Sequence, residues 1–331
     1  MHIHQLFLKI LKKFVVNMLS NSQKGILLII LGMSIFSVQD VLVKYLSEST
    51  SVFQIFFVRS IVGLLTISLF LSITKQKIIF KSQYPVLTLI RVVLFFSAFL
   101  AFYISLSNLS LAVANTLFFT SPFFITIFSM IFLKEKIGIR RWLAIFVGFL
   151  GVLIVMNPTI ENLNLFYLLP VYCAVCYALS MIIIKKTSDK DSVYSQIFHL
   201  YISALIISSI ISLFIGDGSF NKYDDPALKF LLREWHLSFN QNTIFLFIIG
   251  LAGSAGFFCL HQAYRIASPP TIAPFEYILI FWSISLGWLI FGDVSNLRDL
   301  IGIIIIVSSG IYVFLRENVR KTPISTEKPL R

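Results

Sequence analysis

The sequence predicts an all-α integral membrane protein with ten transmembrane helices, arranged as two inverted five-helix repeats. Three observations indicate this fold: the composition, the spacing of the apolar segments and a weak internal repeat. Of the 331 residues, 57% are hydrophobic and only 13% are charged, which is about half the charged share of soluble domains. A soluble globule of this length leaves about a quarter of its chain surface in water. The composition therefore excludes a soluble enzyme, a nucleic-acid-binding domain and a disordered tail.

Ten segments are long and apolar enough, or nearly so, to cross the roughly 30 Å hydrocarbon layer, which takes about 20 helical residues. They cover residues 24–46, 52–73, 86–106, 112–133, 141–156, 165–184, 193–215, 243–264, 269–291 and 299–315. The fifth and tenth segments are short and contain small residues. They suit helix packing or contacts between two copies of the chain, so a homodimer is one expected assembly.

Lysine and arginine residues indicate the orientation, because they accumulate in the cytoplasmic loops of membrane proteins. With the N-terminus inside, 20 of the 27 basic residues lie in cytoplasmic segments and 4 lie in outer loops. The net charge of +12 therefore fits a membrane better than nucleic acid. We expect a multi-pass protein of the bacterial inner (plasma) membrane with both termini in the cytoplasm.

The segments outside the spans are short, with one exception. Residues 1–23 form a basic cytoplasmic segment, in which Met18 is an alternative start of translation, and residues 316–331 form a cytoplasmic tail. The longest outer loop covers residues 216–242. Within it, Asp225 precedes a proline and an apolar stripe, which predicts a short amphipathic helix capped by the aspartate.

The chain carries a weak repeat at an offset of 158 residues. Glu135 aligns with Asp293, and Arg140 aligns with Arg298. Residues 24–156 and residues 165–315 then hold five spans each. An odd number of spans inverts the second copy in the membrane, an architecture that many secondary transporters use to alternate access about a central site.

Two stretches, Ala114 to Val155 and Ala263 to Leu315, resemble the two EamA domains of the drug/metabolite transporter superfamily. The resemblance covers residues 24–316. The segment from Ser37 to Leu46 is similar to the first span of the S-adenosylmethionine-uptake branch. The resemblance implies secondary active transport by alternating access, with an amino acid, an S-adenosylmethionine-like metabolite or a drug-like compound as the solute.

Two other functions stay open: an integral-membrane enzyme, and a receptor or scaffold without transport activity. An enzyme would need a cluster of His or Asp at one membrane face, and the sequence shows none. It also lacks the GxxxxGK[ST], HExxH and GxSxG motifs. We therefore expect a non-enzyme that needs no cofactor and no metal, with a small-molecule substrate and the lipid bilayer as partners, and no nucleic acid.

Charged residues inside spans cost roughly 2.5–3.5 kcal/mol each on insertion scales, so each one needs a reason. At 1.5 Å per residue, Asp40 in the first span and Arg59 in the second lie at a similar depth near the outer side. Lys44 lies one turn from Asp40 on the same helix face. This outer group predicts either a structural ion pair between Asp40 and Arg59 or an external gate.

A second polar group lies nearer the inner side and comprises Arg91, His199, His261 and Glu276. Pro274 loosens the helix just before Glu276, and buried carboxylates commonly carry protons or cations. Glu276 is therefore predicted to bind a proton or a cationic substrate group, the alternative being a structural partner for Arg91. His199 is predicted to serve in packing.

Further polar and aromatic side chains in the spans are candidates for lining a solute cavity. They are Tyr103, Asn115, Thr120, Tyr264, Tyr277 and Trp282. Polar groups beside the interior Pro122 predict a kinked fourth span that lines a cavity. Their alternative role is hydrogen bonding between helices, worth about 0.6 kcal/mol on average.

Overall fold

The computed structural model describes residues 20–75, 81–134, 138–156, 165–235, 241–293 and 296–319, and every regular element among them is helical. The helices are α1 (Asn21–Leu46), α2 (Val52–Thr74), α3 (Pro85–Leu106), α4 (Leu111–Phe118), α5 (Ser121–Leu133), α6 (Ile139–Met156), α7 (Leu168–Lys186), α8 (Val193–Ile215), α9 (Pro226–Leu232), α10 (Gln241–Ile266), α11 (Pro269–Ile272), α12 (Ile278–Leu286) and α13 (Leu297–Val319). Three short segments of other helix types are Leu165–Tyr167 and Ala273–Tyr277, both 3₁₀, and the π-helical Gly287–Phe291. Met18 and most of the predicted cytoplasmic tail lie outside the described residues.

Eight of the described stretches are long and apolar enough to cross a membrane. They match the predicted spans one to four and six to nine, with α4 and α5 forming the fourth span and Pro269–Phe291 the ninth. The all-helical, multi-pass fold is thus confirmed. Helices α6 and α13 lie where the sequence predicts the fifth and tenth spans.

The fourth and ninth spans are both interrupted. Helix α4 ends at Phe118 and α5 starts at Ser121, one residue before Pro122. Proline lacks the N–H that would continue the hydrogen bonding of α4, and its ring clashes with the carbonyl group of the preceding turn. In the ninth span, Pro269–Ile272 and the 3₁₀ segment Ala273–Tyr277 precede α12. The predicted kink in the fourth span and loosening near residue 274 are therefore confirmed.

The spans form one bundle in which α10 packs against α1 and α2, α3 packs against α7, and α2 packs against α8. Helices α6 and α13 pack along each other beside it. Their close approach depends on Gly151, since a methyl group there would lie 2.8 Å from the backbone oxygen of Gly302 and from the Ile306 side chain.

The long loop after α8 contains the short helix that the sequence predicts. The Asp225 carboxylate accepts hydrogen bonds from the backbone N–H groups of Ala227 and Leu228 at 2.9 and 3.0 Å. Phe230 is fully buried, and Arg233 donates to the backbone oxygen of Ser47 at 3.0 Å. Helix α9 is therefore packed onto the ends of the bundle and held in place there.

Candidate functional site

A central cavity lies inside the bundle. It is lined from α1, α3, α4, α7, α10 and α12. Five of the residues that line it are aromatic: Phe36, Phe99, Phe102, Phe118 and Tyr177. Its most polar wall is formed by the carboxylate of Asp40 and the amide of Asn115. A largely apolar cavity with a few converging polar groups is typical of a small-molecule site.

Asp40 lines the central cavity and is only 5% exposed. No ion pair within 4 Å joins its carboxylate to a cation among the described residues. Asn115 lies beside it, and neither polar atom of the Asn115 side chain has a hydrogen-bond partner in the described structure. Because removing a carboxylate from water is costly unless it is paired, this corner of the cavity is suited to a cationic or hydrogen-bonding ligand.

The predicted direct ion pair between Asp40 and Arg59 is wrong. The two charges are close enough to interact, but the Arg59 Nη1 donates to the hydroxyl of Tyr103 at 2.6 Å. The same hydroxyl accepts from the Gln39 side chain at 2.9 Å. Tyr103 thus holds the position beside Arg59 that was predicted for Asp40 from the similar depth of Asp40 and Arg59 in their spans.

Lys44 does not join this group. Its ammonium lies 3.7 Å from the Asp293 carboxylate and donates to the backbone oxygen of Leu109 at 2.8 Å. Lys44 lies one helical turn beyond Asp40 in α1, nearer the end of the bundle, where Asp293 follows the ninth span. We call Lys44, Leu109 and Asp293 the Lys44 cluster.

Arg59 lines a second, smaller cavity, which shares the wall residue Phe99 with the central cavity. Its guanidinium lies 5.0 Å from the ring centre of Phe99 and 4.9 Å from that of Phe257. These distances are typical of cation–π contacts. The Nε and Nη2 atoms have no hydrogen-bond partner among the described residues.

Glu276 is fully buried in the 3₁₀ segment of the ninth span. Its Oε1 accepts hydrogen bonds from the hydroxyls of Tyr177 and Tyr264 at 2.7 and 2.6 Å, whereas Oε2 has no partner in the described structure. Since Tyr177 also lines the central cavity, one hydroxyl group links this carboxylate to the cavity wall.

The structure does not pair Glu276 with Arg91, which was the predicted alternative role of Glu276. Arg91 Nη1 lies 3.3 Å from His261 Nε2, and Nη2 donates to the backbone oxygen of Gln196 at 2.9 Å. The other ring nitrogen of His261 is 3.0 Å from the Phe257 oxygen. Arg91 and His261 therefore form a group of their own, separate from the hydrogen bonds of Glu276.

The remaining candidate residues have partners within the protein. Thr120 donates to the backbone of Leu117 at 2.9 Å, and Trp282 donates to the Ser34 hydroxyl at 2.8 Å. The ring of Tyr277 packs at 5.2 Å from that of Phe119. The Thr120 bond stays within the fourth span, whereas the Trp282 bond joins the ninth span to α1. The described His, Cys, Asp and Glu side chains also form no group of three or more that could hold a metal ion.

One face of α10 contacts three of the buried charged side chains or their partners. Gly253, Phe257, His261 and Tyr264 follow one another at helical spacings of four, four and three residues. A methyl group at Gly253 would lie 2.9 Å from Arg59 Nε, and Phe257 stacks on the same side chain. His261 meets Arg91, and Tyr264 donates to Glu276.

A polar cluster lies at the end of the bundle opposite the Lys44 cluster. The buried Asp191 accepts from the hydroxyl of Ser82 at 2.6 Å and from the backbone N–H of Gln83 at 2.9 Å. Arg265 donates to the backbone oxygens of Asp191 and Ser188. We call these five residues the Asp191 cluster; it ties together three segments that are distant in sequence.

Sequence reasoning missed Tyr177, Gln39 and the Asp191 cluster. Tyr177 stands in an apolar run, where nothing distinguishes a cavity tyrosine from one that faces lipid. Gln39 precedes Asp40, and two adjacent polar residues in a span are a usable signal. Asp191 lies in a predicted loop, where acidic residues are usually solvated.

Comparisons with known proteins relate the chain to a family of transporters. Residues 23–157 and residues 164–315 each match the EamA-like transporter family. A riboflavin transporter of Vibrio cholerae is 30% identical over 60% of this chain and 60% of its own length, so that match spans less than two thirds of the relative. An S-adenosylmethionine uptake transporter of Rickettsia bellii is 27% identical over 85% of this chain and 90% of its own length.

Two further matches extend the comparison. The pseudopaline exporter CntI of Pseudomonas aeruginosa strain PAO1 is 26% identical over 86% of this chain and 94% of its own length. A solved crystal structure with 12% sequence identity covers 90% of this chain at a TM-score of 0.67, which supports the fold. The three relatives matched by sequence are named as transporters or exporters, which fits a protein without enzymatic activity. Because the family matches cover most of both halves, the chain belongs to the EamA-like transporter family.

Proposed function

We propose that this small-molecule transporter is a secondary active transporter of the bacterial inner membrane that works by alternating access. One observation carries the proposal: a buried carboxylate, Asp40, faces the central cavity without an ion pair among the described residues. Intramembrane carboxylates in such positions commonly mark solute and ion pathways. The predicted external gate at Asp40 is replaced in this proposal by a binding role inside the cavity.

The two halves of the chain are proposed to be inverted five-helix repeats. The cavity is lined from the first, third and fourth spans and from the sixth, eighth and ninth, which are equivalent positions in the two halves. The helices that follow the two breaks begin at Ser121 and Ile278, 157 residues apart, against the repeat offset of 158. Broken helices at equivalent positions commonly form the central site of transporters built this way.

The orientation with both termini inside is proposed from the distribution of basic residues. The Asp191 cluster unites the loop before α3, the turn after α7 and the end of α10. All three belong to the segments assigned to the cytoplasm, whereas the Lys44 cluster lies among segments assigned to the outside. This grouping supports one consistent inner face and one outer face.

Glu276 is proposed to couple transport to a proton or cation. Its bonds from Tyr177 and Tyr264 connect the broken ninth span to α7 and α10. A change in its protonation would alter both bonds, and with them the position of a cavity wall. The free Oε2 atom is available to take up the proton.

The solute is proposed to be a metabolite with a cationic group and a planar or apolar part. The cationic group would lie at Asp40, and the aromatic walls favour both a cation and a flat apolar surface. One relative is named for uptake of S-adenosylmethionine and another for export of pseudopaline. The proposal therefore includes both import and export.

The test is transport of a panel of labelled metabolites in membrane vesicles, with and without a pH gradient. We expect wild-type protein to accumulate at least one solute when the gradient is present, and Asp40→Asn to abolish that accumulation. Asp224→Asn makes the same change at an exposed carboxylate in the outer loop and should transport normally. Absence of gradient-driven accumulation across the whole panel would contradict secondary active transport.

A further inference from the structure

The guanidinium of Arg59 is buried with one edge unused. Arg59 is 3% exposed, and Nη1 is occupied by the Tyr103 hydroxyl. The two nitrogens without a partner in the described structure are Nε and Nη2. In a planar guanidinium these two donate from the same edge, and that edge binds a carboxylate through two parallel hydrogen bonds.

The structure provides no protein anion for this edge. Among the described residues, Arg59 makes no ion pair within 4 Å, and Asp40 acts on it only at longer range. Stacking on Phe99 and Phe257 stabilises the charge but leaves the in-plane donors unused, because cation–π contacts are made by the face of the group. Buried donors without a partner are costly, so an acceptor is expected there in some step of the transport cycle.

The region beside the free edge is narrow and polar. Arg59 lines the second cavity. On the α10 side, a methyl group at Gly253 would lie 2.9 Å from Nε, 3.1 Å from the Gln39 Oε1 and 3.2 Å from the Tyr201 hydroxyl. The lack of a side chain at Gly253 therefore keeps these polar atoms accessible to one another and to a ligand.

We propose that the free edge of Arg59 binds the carboxylate of a zwitterionic solute whose cationic group lies at Asp40. The two cavities share Phe99 as a wall, and the two charges are near each other without meeting. An amino-acid-like solute supplies both missing partners in one molecule and keeps the site neutral overall. This inference rests on the proposed transport function and specifies the class of solute.

The experiment measures binding to purified full-length protein in lipid nanodiscs by thermal stabilisation. The probes are the twenty standard L-amino acids, each compared with its own carboxamide, which keeps the ammonium and removes the carboxylate charge. We expect at least one amino acid to bind wild-type protein about tenfold or more tightly than its carboxamide, as a charged two-bond contact provides.

Three variants locate the carboxylate. Arg59→Gln should reduce the ratio of the two affinities to about one, and Arg59→Lys should restore part of it, because the charge is kept and the two-bond edge is lost. Gly253→Ala keeps the arginine, fills the space beside Nε and should also lower the ratio. A ratio is insensitive to the amount of folded protein, so a partly unstable variant still gives a result.

Two outcomes would overturn the proposal. One is that no amino acid is preferred over its carboxamide by the wild-type protein, and the other is that the ratio survives in Arg59→Gln. Vesicle transport separates this failure from failure of the proposed function. Gradient-driven accumulation that depends on Asp40 but not on Arg59 would remove the carboxylate site and leave the transporter intact, whereas no accumulation at all would contradict the transport function itself.

Discussion

At the scale of single residues, Asp40 and Glu276 meet the cost of burial in different ways. Glu276 has one oxygen satisfied by two tyrosine hydroxyls and one oxygen without a described partner. Asp40 instead faces empty volume beside the Asn115 amide. The first arrangement suits a small occupant such as a proton, and the second suits a larger one such as the cationic end of a solute.

Glu276→Gln is expected to abolish accumulation driven by a pH gradient. The amide has the shape of the protonated acid and still accepts from Tyr177 and Tyr264 through its oxygen, so the protein should fold. Exchange of labelled solute down its own gradient should continue in the same vesicles. Glu48→Gln, at an exposed position, is the matched control. Accumulation by Glu276→Gln at the wild-type level would exclude a coupling role for this carboxylate.

At the scale of elements, the pair formed by α6 and α13 depends on a short helix-to-helix distance. Gly151 faces the backbone of Gly302, and no side chain can occupy the space between them without a shift. Small residues allow this kind of approach, which dispersion and interhelical contacts then stabilise in a membrane. The pair contributes no residue to the central cavity walls named above, so its role in the fold can be tested apart from the site.

Gly151→Ala is expected to destabilise the protein by about 1–3 kcal/mol, which is the usual cost of forcing a methyl group into a packed contact. The measurement is the midpoint of thermal unfolding in detergent. Gly138→Ala is the matched control, because a methyl group there would meet no atom within 4 Å. Equal midpoints for the two variants would mean that α6 and α13 separate at little cost.

Sequence position predicts the height of a side chain within a span, but it does not predict the direction in which the side chain points. Apolar length therefore located the spans, and Pro122 and Asp225 correctly predicted a helix break and a helix cap. Height also placed Asp40 and Arg59 at one level. Their failure to pair could not be predicted, because the position of Tyr103 between neighbouring helices depends on how α1, α2 and α3 are rotated.

The candidate site was predictable to a similar extent. Asp40, Asn115 and Glu276 stood out because polar groups in apolar runs are rare. The hydrogen bonds from Tyr177 and Tyr264 to Glu276 could not be recognised in the sequence. They join α7, α10 and the ninth span, and packing across helices has no periodic signal along the chain.

At the scale of the whole molecule, a polar cluster joins helices at each end of the bundle. The Asp191 cluster joins segments at one end through short hydrogen bonds to a buried carboxylate. The Lys44 cluster joins segments at the other end through a longer, partly exposed ion pair of 3.7 Å, and such pairs are worth about 0–1 kcal/mol. Alternating access requires that the two ends open one at a time.

Reporter fusions test the orientation of the molecule. A reporter fused after Asp189 should read as cytoplasmic, and one fused after Asp224 should read as periplasmic, because the 20-to-4 division of basic residues assigns these loops to opposite sides. The reverse reading at either point would contradict the proposed topology.

The native Cys173, which lines the central cavity, can report on opening. In a background with Cys176→Ala and Cys259→Ala, a membrane-impermeant thiol reagent should label Cys173 slowly from either side. Asp191→Ala should speed labelling from the cytoplasmic side only, and Asp293→Ala from the outer side only. Faster labelling from the same side in both variants would show that the two clusters do not close opposite ends.

The face of α10 formed by Gly253, Phe257, His261 and Tyr264 has a thermodynamic consequence. A rigid helix that touches both Arg59 and Glu276 cannot adjust at one of them without affecting the other. Linkage between two binding events is reciprocal: if a proton at Glu276 changes the affinity for solute by some factor, bound solute changes the affinity for that proton by the same factor. Solute added to the purified protein in weakly buffered solution should therefore change the pH in the absence of any membrane or gradient.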